Sequence, residues 1–253
     1  MPHIFGVDVS HWQGVINWDK MKSKGVQFAL IKATEGTTYK DDQFERNVAE
    51  SIRVGIPWGA YHFHLPALSA TGQVDNFLGS LSGKKVSCRA WGDFETSSNL
   101  TPDVVSQRSL DFLAGVHKVE RAGEYTSPGY SNSWFMQAGK PDLRHAIYPQ
   151  WLANYTTASY PMLTNIGQIP IIWQYTSKGD GYSYGADSQY IDLNWWMGSD
   201  EEFQDFIGAA VEPPVVEPPI EPPTITFTSL DKAHLDHLWA DHVAKYPPTM
   251  KPQ

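Results

Sequence analysis

Two acids at the end of one apolar run are the residues of this sequence best suited to catalysis. The run over residues 88–95 ends in Asp93 and Glu95. Successive side chains of a β-strand point to opposite faces, so a spacing of two places both carboxyl groups on one face. Such a pair at the end of a sheet or barrel strand can serve as general acid and base. The pair alone is a weak signal, because ion-paired or hydrogen-bonded rim acids show the same spacing.

Two more acids lie close to the ends of strand-like apolar runs. Asp8 is near the end of the run over 4–9, and Asp192 lies within the run over 189–193. In a barrel of parallel strands the carboxyl ends meet at one rim, where catalytic residues usually sit. The pattern therefore predicts that these acids and the earlier pair line a single site.

The elements that must position these acids alternate between strands and helices. Helical patterns fall between many of the strands, as over residues 42–54 and 102–122. The second pattern begins with Thr101 as N-cap and Pro102 as first helical residue. Glycines at the positions expected just after helices are Gly25, Gly55 and Gly123. Eight strands are predicted, over 4–9, 26–33, 57–63, 88–95, 125–130, 146–153, 171–175 and 189–193.

About eight strands alternating with helices over roughly 200 residues predict a parallel α/β barrel. Between residues 148 and 192 the strands are joined by loops rich in Gly, Ser and Tyr, with little helical pattern. The fold class is therefore predicted to be α/β, an irregular TIM-like β/α barrel whose last strands lack helices. A doubly wound open sheet is the structural alternative, although no G-x-G-x-x-G follows the first strand.

The composition changes sharply near residue 210. Residues 1–209 form the predicted catalytic barrel, and residues 210–224 are rich in Pro and Glu, which is typical of an extended linker. Residues 225–253 contain one short amphipathic helical pattern, over 228–246. Because so short a segment cannot bury its own core, we expect this tail to dock on a partner, to self-associate or to be the stub of a larger module.

Charge and cysteine content exclude several classes of function. The formal net charge of −9 without a basic cluster argues against nucleic acid as a partner. No stretch is long and apolar enough to predict membrane insertion. The single cysteine, Cys88, excludes an intramolecular disulfide and a multi-cysteine metal site, and its apolar context predicts a buried, inert thiol.

An ordered series of motifs resembles family 25 of the glycoside hydrolases, which are lysozymes (N-acetylmuramidases) of bacteriophages and bacteria. The motifs extend over roughly 200 residues. They are residues 8–14, 17–19, 28–36, Asp42, Phe44, Asn47, 59–63, 93–95, 151–155, 172–175 and 191–194. The family's fold is an irregular α/β barrel, in agreement with the pattern of elements. Two segments depart from the family pattern, His64-Leu65-Pro66 and a long loop over 177–188; they concern the subsites and not the acids.

The resemblance also implies an activity and roles for individual residues. It implies that bacterial peptidoglycan is cleaved at the β-1,4 bond between N-acetylmuramic acid and N-acetylglucosamine. Glu95 matches the general acid, and Asp93, Asp8 and Asp192 match the other acids of the cleft. No metal and no cofactor are implied, so His62 and His64 are expected to be hydrogen-bonded core residues. The residues expected to line the cleft are Tyr61, Tyr130, Trp151, Tyr155 and Gln174.

Several points stay open at the level of sequence. The spacing of Asp93 and Glu95 is compatible with a retaining, an inverting or an acetamide-assisted reaction. A chitinase-like glycosidase is one alternative, weakened by Trp91 where family 18 has Asp. A wall-binding or virion-structural protein is another. No secretion signal precedes the first strand, so we expect a phage endolysin-like enzyme made in the cytoplasm, which meets the wall after release.

Overall fold

The fold is a closed eight-stranded barrel. The structure, a computed structural model, describes residues 4–165 and 169–208. Neighbouring strands pair in chain order, and β8 closes the barrel by pairing with β1. The barrel strands are β1 (Phe5–Val9), β2 (Phe28–Glu35), β3 (Trp58–Phe63), β4 (Ala90–Asp93), β5 (Ala122–Thr126), β6 (Gln150–Ala153), β7 (Ile172–Asp180) and β8 (Tyr190–Trp196).

Seven strands run parallel, and β8 runs antiparallel to both of its neighbours. The sequence predicted a wholly parallel barrel, which is wrong for this last strand. Only nine residues, 181–189, connect β7 to β8. A parallel crossover needs about a dozen residues or more, so this short connection returns the chain in the opposite direction.

The helices lie mostly in the first two thirds of the barrel, as predicted. Residues 154–165 and 169–171, in the connection between β6 and β7, contain no helix. The helices are α1 (Trp18–Ser23), α2 (Phe44–Arg53), α3 (Ala70–Leu81), α4 (Pro102–His117), α5 (Pro128–Trp134), α6 (Gly181–Tyr184) and α7 (Asp200–Phe206). Shorter elements are two 3-10 helices, His11–Gln13 and Leu143–Ile147, and two-residue strands at Tyr39–Lys40, Met136–Gln137 and Lys140–Pro141.

The region around β5 differs from the prediction. The predicted strand over 125–130 begins three residues and ends four residues too late, because Ser127 caps a helix there by accepting a hydrogen bond from the Tyr130 amide. Helix α4 ends at His117 rather than at residue 122. Gly123 therefore ends no helix; it lies inside β5, where a Cβ atom would come within 2.5 Å of the Trp91 ring. Gly25 and Gly55 do follow helices with positive φ, as predicted.

Aromatic side chains fill the inside of the barrel. Trp91 and Trp151 are completely or almost completely buried there, and Phe28 packs against them from the first half of the barrel. Helix α7 closes the end at which β1 and β2 begin, since Phe203 contacts the Phe28 ring at 5.7 Å between centroids. With that end closed, a ligand can approach only from the rim at the carboxyl ends of the parallel strands. A second apolar layer packs the outer barrel surface against the helices.

Candidate active site

The four predicted acids meet at the open rim of the barrel. Asp8 is the second-last residue of β1, Asp93 ends β4, and Glu95 follows two residues later. Asp192 lies near the start of β8 and pairs in register with Asp8. Because β8 runs antiparallel, its start is at the same rim as the carboxyl ends of the other strands. The charges of Asp192 and Glu95 both act on Asp8, as expected for one cluster.

Asp8 is held by two side-chain amides. The NH2 groups of Gln174 and Asn194 each donate to Asp8 Oδ2 at 2.8 Å. The hydroxyls of Tyr125 and Tyr155 donate to Gln174 Oε1 at 2.9 and 2.7 Å, which directs the Gln174 NH2 group toward Asp8. Burial, followed by the charge of Asp192, raises the pKa of Asp8, while the two amide hydrogen bonds oppose this shift. Asp8 is therefore a rigidly oriented carboxyl group.

Asn194 is oriented in the same way from the other side. Trp151 Nε1 donates to Asn194 Oδ1 at 2.8 Å, so the Asn194 NH2 group must face Asp8. The Trp151 side chain itself is 1% exposed and packs beneath the cleft against the rings of Tyr61 and Tyr125. Trp151 thus supports the floor of the cleft through a hydrogen bond and ring contacts.

Asp93 and Glu95 form a pair with unequal access to solvent. Asp93 is 3% exposed, and its Oδ1 has no hydrogen-bond partner among the described residues. Glu95 is exposed at the rim, and the two carboxyl groups share a hydrogen bond. Burial, and then the charge of Glu95, raises the pKa of Asp93 well above its usual value. The pair can therefore retain a proton at a pH where an ordinary carboxyl group has lost it.

The pKa of Glu95 is raised above its usual value, and partial removal of its carboxyl group from water is the largest cause. The hydrogen bond from Asp93 and the charge of Lys32 act in the opposite direction. An exposed acid with a raised pKa is suited to donate a proton to a bound ligand.

Lys32 is a buried cation beside this pair. It lies in β2 next to Tyr61 of β3, and its Nζ is 2.8 Å from Glu35 Oε2 and 5.0 Å from the centroid of the Phe63 ring. Its charge lowers the pKa of both Asp93 and Glu95. Sequence reasoning assigned it no role, although a lysine inside an otherwise apolar strand signals a buried charge.

The predicted cleft-lining residues fall into two groups. Tyr61, Tyr155 and Gln174 lie at the acid cluster: Tyr61 is buried, and the charges of Asp8 and Asp93 add to burial in raising its pKa. Tyr130 lies in α5, and its hydroxyl donates to the Thr96 carbonyl at 2.6 Å, directly after Glu95. It therefore anchors the chain that carries Glu95. Sequence reasoning assigned no role to Tyr125 or Asn194; Tyr125 gave no signal beyond its strand, whereas Asn194 lies in the motif over 191–194 that resembles the family.

The other reactive residues lie away from the cleft. His62 Nδ1 is 2.7 Å from Thr34 Oγ1, and its ring stacks on Phe112 outside the barrel wall. Burial lowers the pKa of His62 to about 4 and that of His64 to about 3, and it raises the pKa of the Cys88 thiol. Across residues 4–165 and 169–208, no group of three or more His, Cys, Asp or Glu side chains could hold a metal ion. Within the same ranges, no helix has the length and apolarity needed to span a membrane.

Comparisons with known proteins agree with this geometry. The model of "Glycosyl hydrolases family 25" matches residues 7–183. Lysozyme M1 of Streptomyces globisporus is 56% identical over 210 residues, which cover 77% of this chain and 68% of that protein. The N,O-diacetylmuramidase of Chalaropsis sp is 28% identical over 204 residues, covering 74% of this chain and 92% of that protein.

A solved structure supports the same assignment. The crystal structure of the bacterial lysozyme from Streptomyces coelicolor superimposes with a TM-score of 0.70 at 32% sequence identity, covering 81% of this chain and 97% of that one. The matched family model spans both the first acid of the cluster, Asp8, and the pair at the end of β4. The barrel closed by an antiparallel last strand, the acids at its open rim and these matches together show that the chain belongs to glycosyl hydrolase family 25.

Proposed function

We propose that this glycoside hydrolase cleaves the β-1,4 bond between N-acetylmuramic acid and N-acetylglucosamine of bacterial peptidoglycan, with Glu95 as the general acid. The observation that carries the proposal is the pair of Asp93 and Glu95 at the rim of a family 25 barrel. One member of the pair is buried and the other is exposed to a ligand. The relatives named lysozyme and diacetylmuramidase support muramic acid as the sugar beside the cleaved bond.

The proton of Glu95 is the first requirement of the reaction. The carboxyl group donates it to the bridging oxygen, the bond between that oxygen and C1 breaks, and positive charge develops at C1. The ionised carboxyl groups left in the cleft stabilise that charge by Coulomb attraction. Water then adds to C1, and its proton returns to Glu95, so that the acid is restored for the next cycle.

Asp93 is poorly placed to attack C1. Asp93 is 3% exposed, whereas Glu95 is exposed at the rim, so the Asp93 carboxylate is screened from the C1 atom of a sugar ring that contacts Glu95. We therefore infer that the carbonyl oxygen of the substrate's 2-acetamido group bonds to C1 as the glycosidic bond breaks, and that Asp93 orients this group by a hydrogen bond. The water that adds to C1 then breaks the bond between C1 and the acetamido oxygen, which restores the acetamido group.

The test of the proposed acid compares Glu95→Gln with the wild type on purified bacterial cell walls. We expect loss of turbidity with the wild type and a rate roughly 10²–10⁴ times lower for the variant, because glutamine cannot donate the proton. Glu201→Gln, at an exposed position of α7, is the matched control and should clear walls as fast as the wild type.

Three results would contradict the proposal. A wild-type protein that binds walls without releasing fragments would favour the wall-binding alternative. Fragments whose reducing end is N-acetylglucosamine, identified by mass spectrometry, would show that the other glycosidic bond is cleaved. Equal clearance by wild type and Glu95→Gln would assign the proton to another group of the cleft.

A further inference from the structure

Two aromatic side chains stand exposed at the rim, outside the acid cluster. Trp12 is 75% exposed and Tyr39 is 42% exposed, whereas Trp18, Trp58, Trp91 and Trp151 are nearly or fully buried. Aromatic rings dominate the energetics of cores and interfaces because of their large apolar area. An indole left in water next to a ligand cleft is therefore a candidate contact for that ligand.

The backbone that presents Trp12 is firmly held. Ser10 Oγ accepts from the Trp12 amide at 3.2 Å, and Gln13 Oε1 accepts from the Ser10 amide at 2.8 Å. Asp41 Oδ2 accepts from the His11 amide at 3.0 Å and lies 2.7 Å from His11 Nδ1. These four contacts fix the 3-10 helix, so the exposure of Trp12 follows from a rigid turn.

The ring of His11 joins the two exposed rings into one surface. Its centroid lies 4.7 Å from the ring of Trp12 and 6.1 Å from the ring of Tyr39. The Tyr39 hydroxyl is 3.3 Å from His11 Nδ1. We call His11, Trp12 and Tyr39 the rim platform.

The rim platform adjoins the acid cluster. Trp12 follows β1, which carries Asp8, by three residues, and Tyr39 pairs in register with Glu35 at the end of the neighbouring strand β2. Lys32 Nζ, beside the catalytic pair, is 5.7 Å from the centroid of the Tyr39 ring. A polymer that passes through the cleft can therefore reach the platform without leaving the protein surface.

Charge and area limit what the platform can hold. Glu35 is paired with Lys32, and Asp41 and Asp42 add further negative charge beside Tyr39, so an anionic polymer would be repelled. Three side chains are far fewer than the roughly 20–30 residues per partner of a stable protein interface. A neutral sugar ring suits the site, since its C–H face can pack flat against an indole ring.

We propose that the rim platform is an additional sugar-binding subsite, which takes a neutral N-acetylhexosamine ring of the glycan strand beyond the rings joined by the cleaved bond. This inference rests on the proposed function, because a glycan must occupy the cleft to extend onto the platform. The subsite would favour long strands over short fragments, since only a long strand reaches both places.

The test measures kcat/KM on glycan strands of different length that carry no peptides. We expect Trp12→Ala to lose roughly 3- to 10-fold on long strands, mainly through a higher KM, and clearly less on a tetrasaccharide. Trp12→Phe should recover part of the loss because it restores an aromatic face. Tyr182→Ala, which removes a similarly exposed ring from α6, is the matched control and should equal the wild type on both substrates.

The outcomes separate this inference from the proposed function. If Trp12→Ala cleaved long strands as efficiently as the wild type, the proposed subsite would be wrong, while Glu95 would remain the proposed acid. An equal loss on long and short substrates also overturns it, because a structural effect would not depend on length. If Trp12→Ala lost kcat/KM only on strands that carry peptides, the rim platform would bind the peptide and the proposed sugar subsite would again be wrong. No cleavage by the wild type contradicts the proposed function itself.

Discussion

Asp192 illustrates the free-energy cost of placing the acids of the cleft away from water. Burial, and then the charge of Glu95, raises the pKa of Asp192 to about 7 from the usual 3.8. Between these two values the folded protein keeps a proton that the unfolded chain has released. The contribution of Asp192 to stability therefore falls as the pH rises through this window, and above about pH 7 the folded state bears the whole cost of the buried charge.

Replacing Asp192 by Asn should stabilise the protein at high pH. We expect the free energy of unfolding of Asp192→Asn to exceed that of the wild type by about 1–3 kcal/mol at about pH 8, because the amide carries no charge to bury. The difference should shrink toward zero at about pH 4, because the folded wild-type carboxyl is then protonated and buries no charge. Urea denaturation at both pH values measures this.

The control for this prediction is Asp75→Asn, which removes the same charge from an exposed position of α3. Its stability should change little at either pH. If Asp192→Asn showed the same gain at both pH values, the gain would not come from the ionisation of Asp192.

At the scale of elements, a buried polar network joins β5, α4 and the 3-10 helix Leu143–Ile147. His145 Nδ1 is 2.8 Å from Glu124 Oε2, and its Nε2 is 3.0 Å from Ser106 Oγ. Gln150 Nε2 in β6 also donates to Glu124, at 3.0 Å. The order Ser, His, acid resembles a hydrolase triad, but all three residues are 0% exposed and no substrate reaches them. The network instead fixes β5, whose Tyr125 orients Gln174 in the cleft.

Breaking this network from one side should be costly. We expect His145→Leu to lower the free energy of unfolding by about 3–5 kcal/mol, because Glu124 loses a buried partner while remaining buried. The double variant Glu124→Leu/His145→Leu should regain part of this loss, since it removes both polar groups. Ile147→Ala, exposed on the same 3-10 helix, is the control. Urea denaturation measures the free energy of unfolding of the three variants. If the double variant were the least stable of them, the cost would not come from leaving Glu124 buried without its partner.

The same elements show how far the sequence predicts the structure. The rim positions of Asp8 and Asp93 follow from the rule that the carboxyl ends of parallel barrel strands meet at one rim. Glu95 lies two residues beyond β4 and Asp192 near the start of antiparallel β8, so the strand period does not place these two acids. The helix start at Thr101 and Pro102 was predicted from local preference and is confirmed. Strand β5 was misplaced because its polar Glu124 breaks the apolar pattern, and only the distant residues Ser106 and His145 explain its burial.

At the scale of the whole molecule, barrel closure is the part that local pattern could not predict in detail. The direction of β8 is set by the length of its connection to β7, and its effect is to carry Asp192 to the rim beside Asp8. The orientation of Asp8 depends on Gln174 and Asn194, which are 166 and 186 residues away in the chain. Such pairings follow from the closed topology and from the direction of β8; the pattern of elements predicted a barrel but not which distant side chains it brings together. The predicted linker over 210–224 and tail over 225–253 lie outside the described residues and stay predictions.

Two truncations test which part of the chain the barrel requires. A chain ending at residue 209 keeps α7, so Phe203 and Phe206 still pack against Phe28 and Trp196 at the closed end. We expect it to melt within a few degrees of the full chain and to cleave soluble glycan fragments as fast, because the removed segment consists of the predicted linker and tail.

A chain ending at residue 198 loses both rings and should be destabilised by about 3–6 kcal/mol, since each buried phenylalanine contributes about 1.5–3 kcal/mol. This is a large share of the 5–15 kcal/mol that holds a typical domain together. In the full chain, Phe203→Ala/Phe206→Ala should reproduce most of this loss, measured by thermal melting. If ending the chain at residue 209 were as damaging as removing α7, the tail would have to contribute directly to the stability of the barrel.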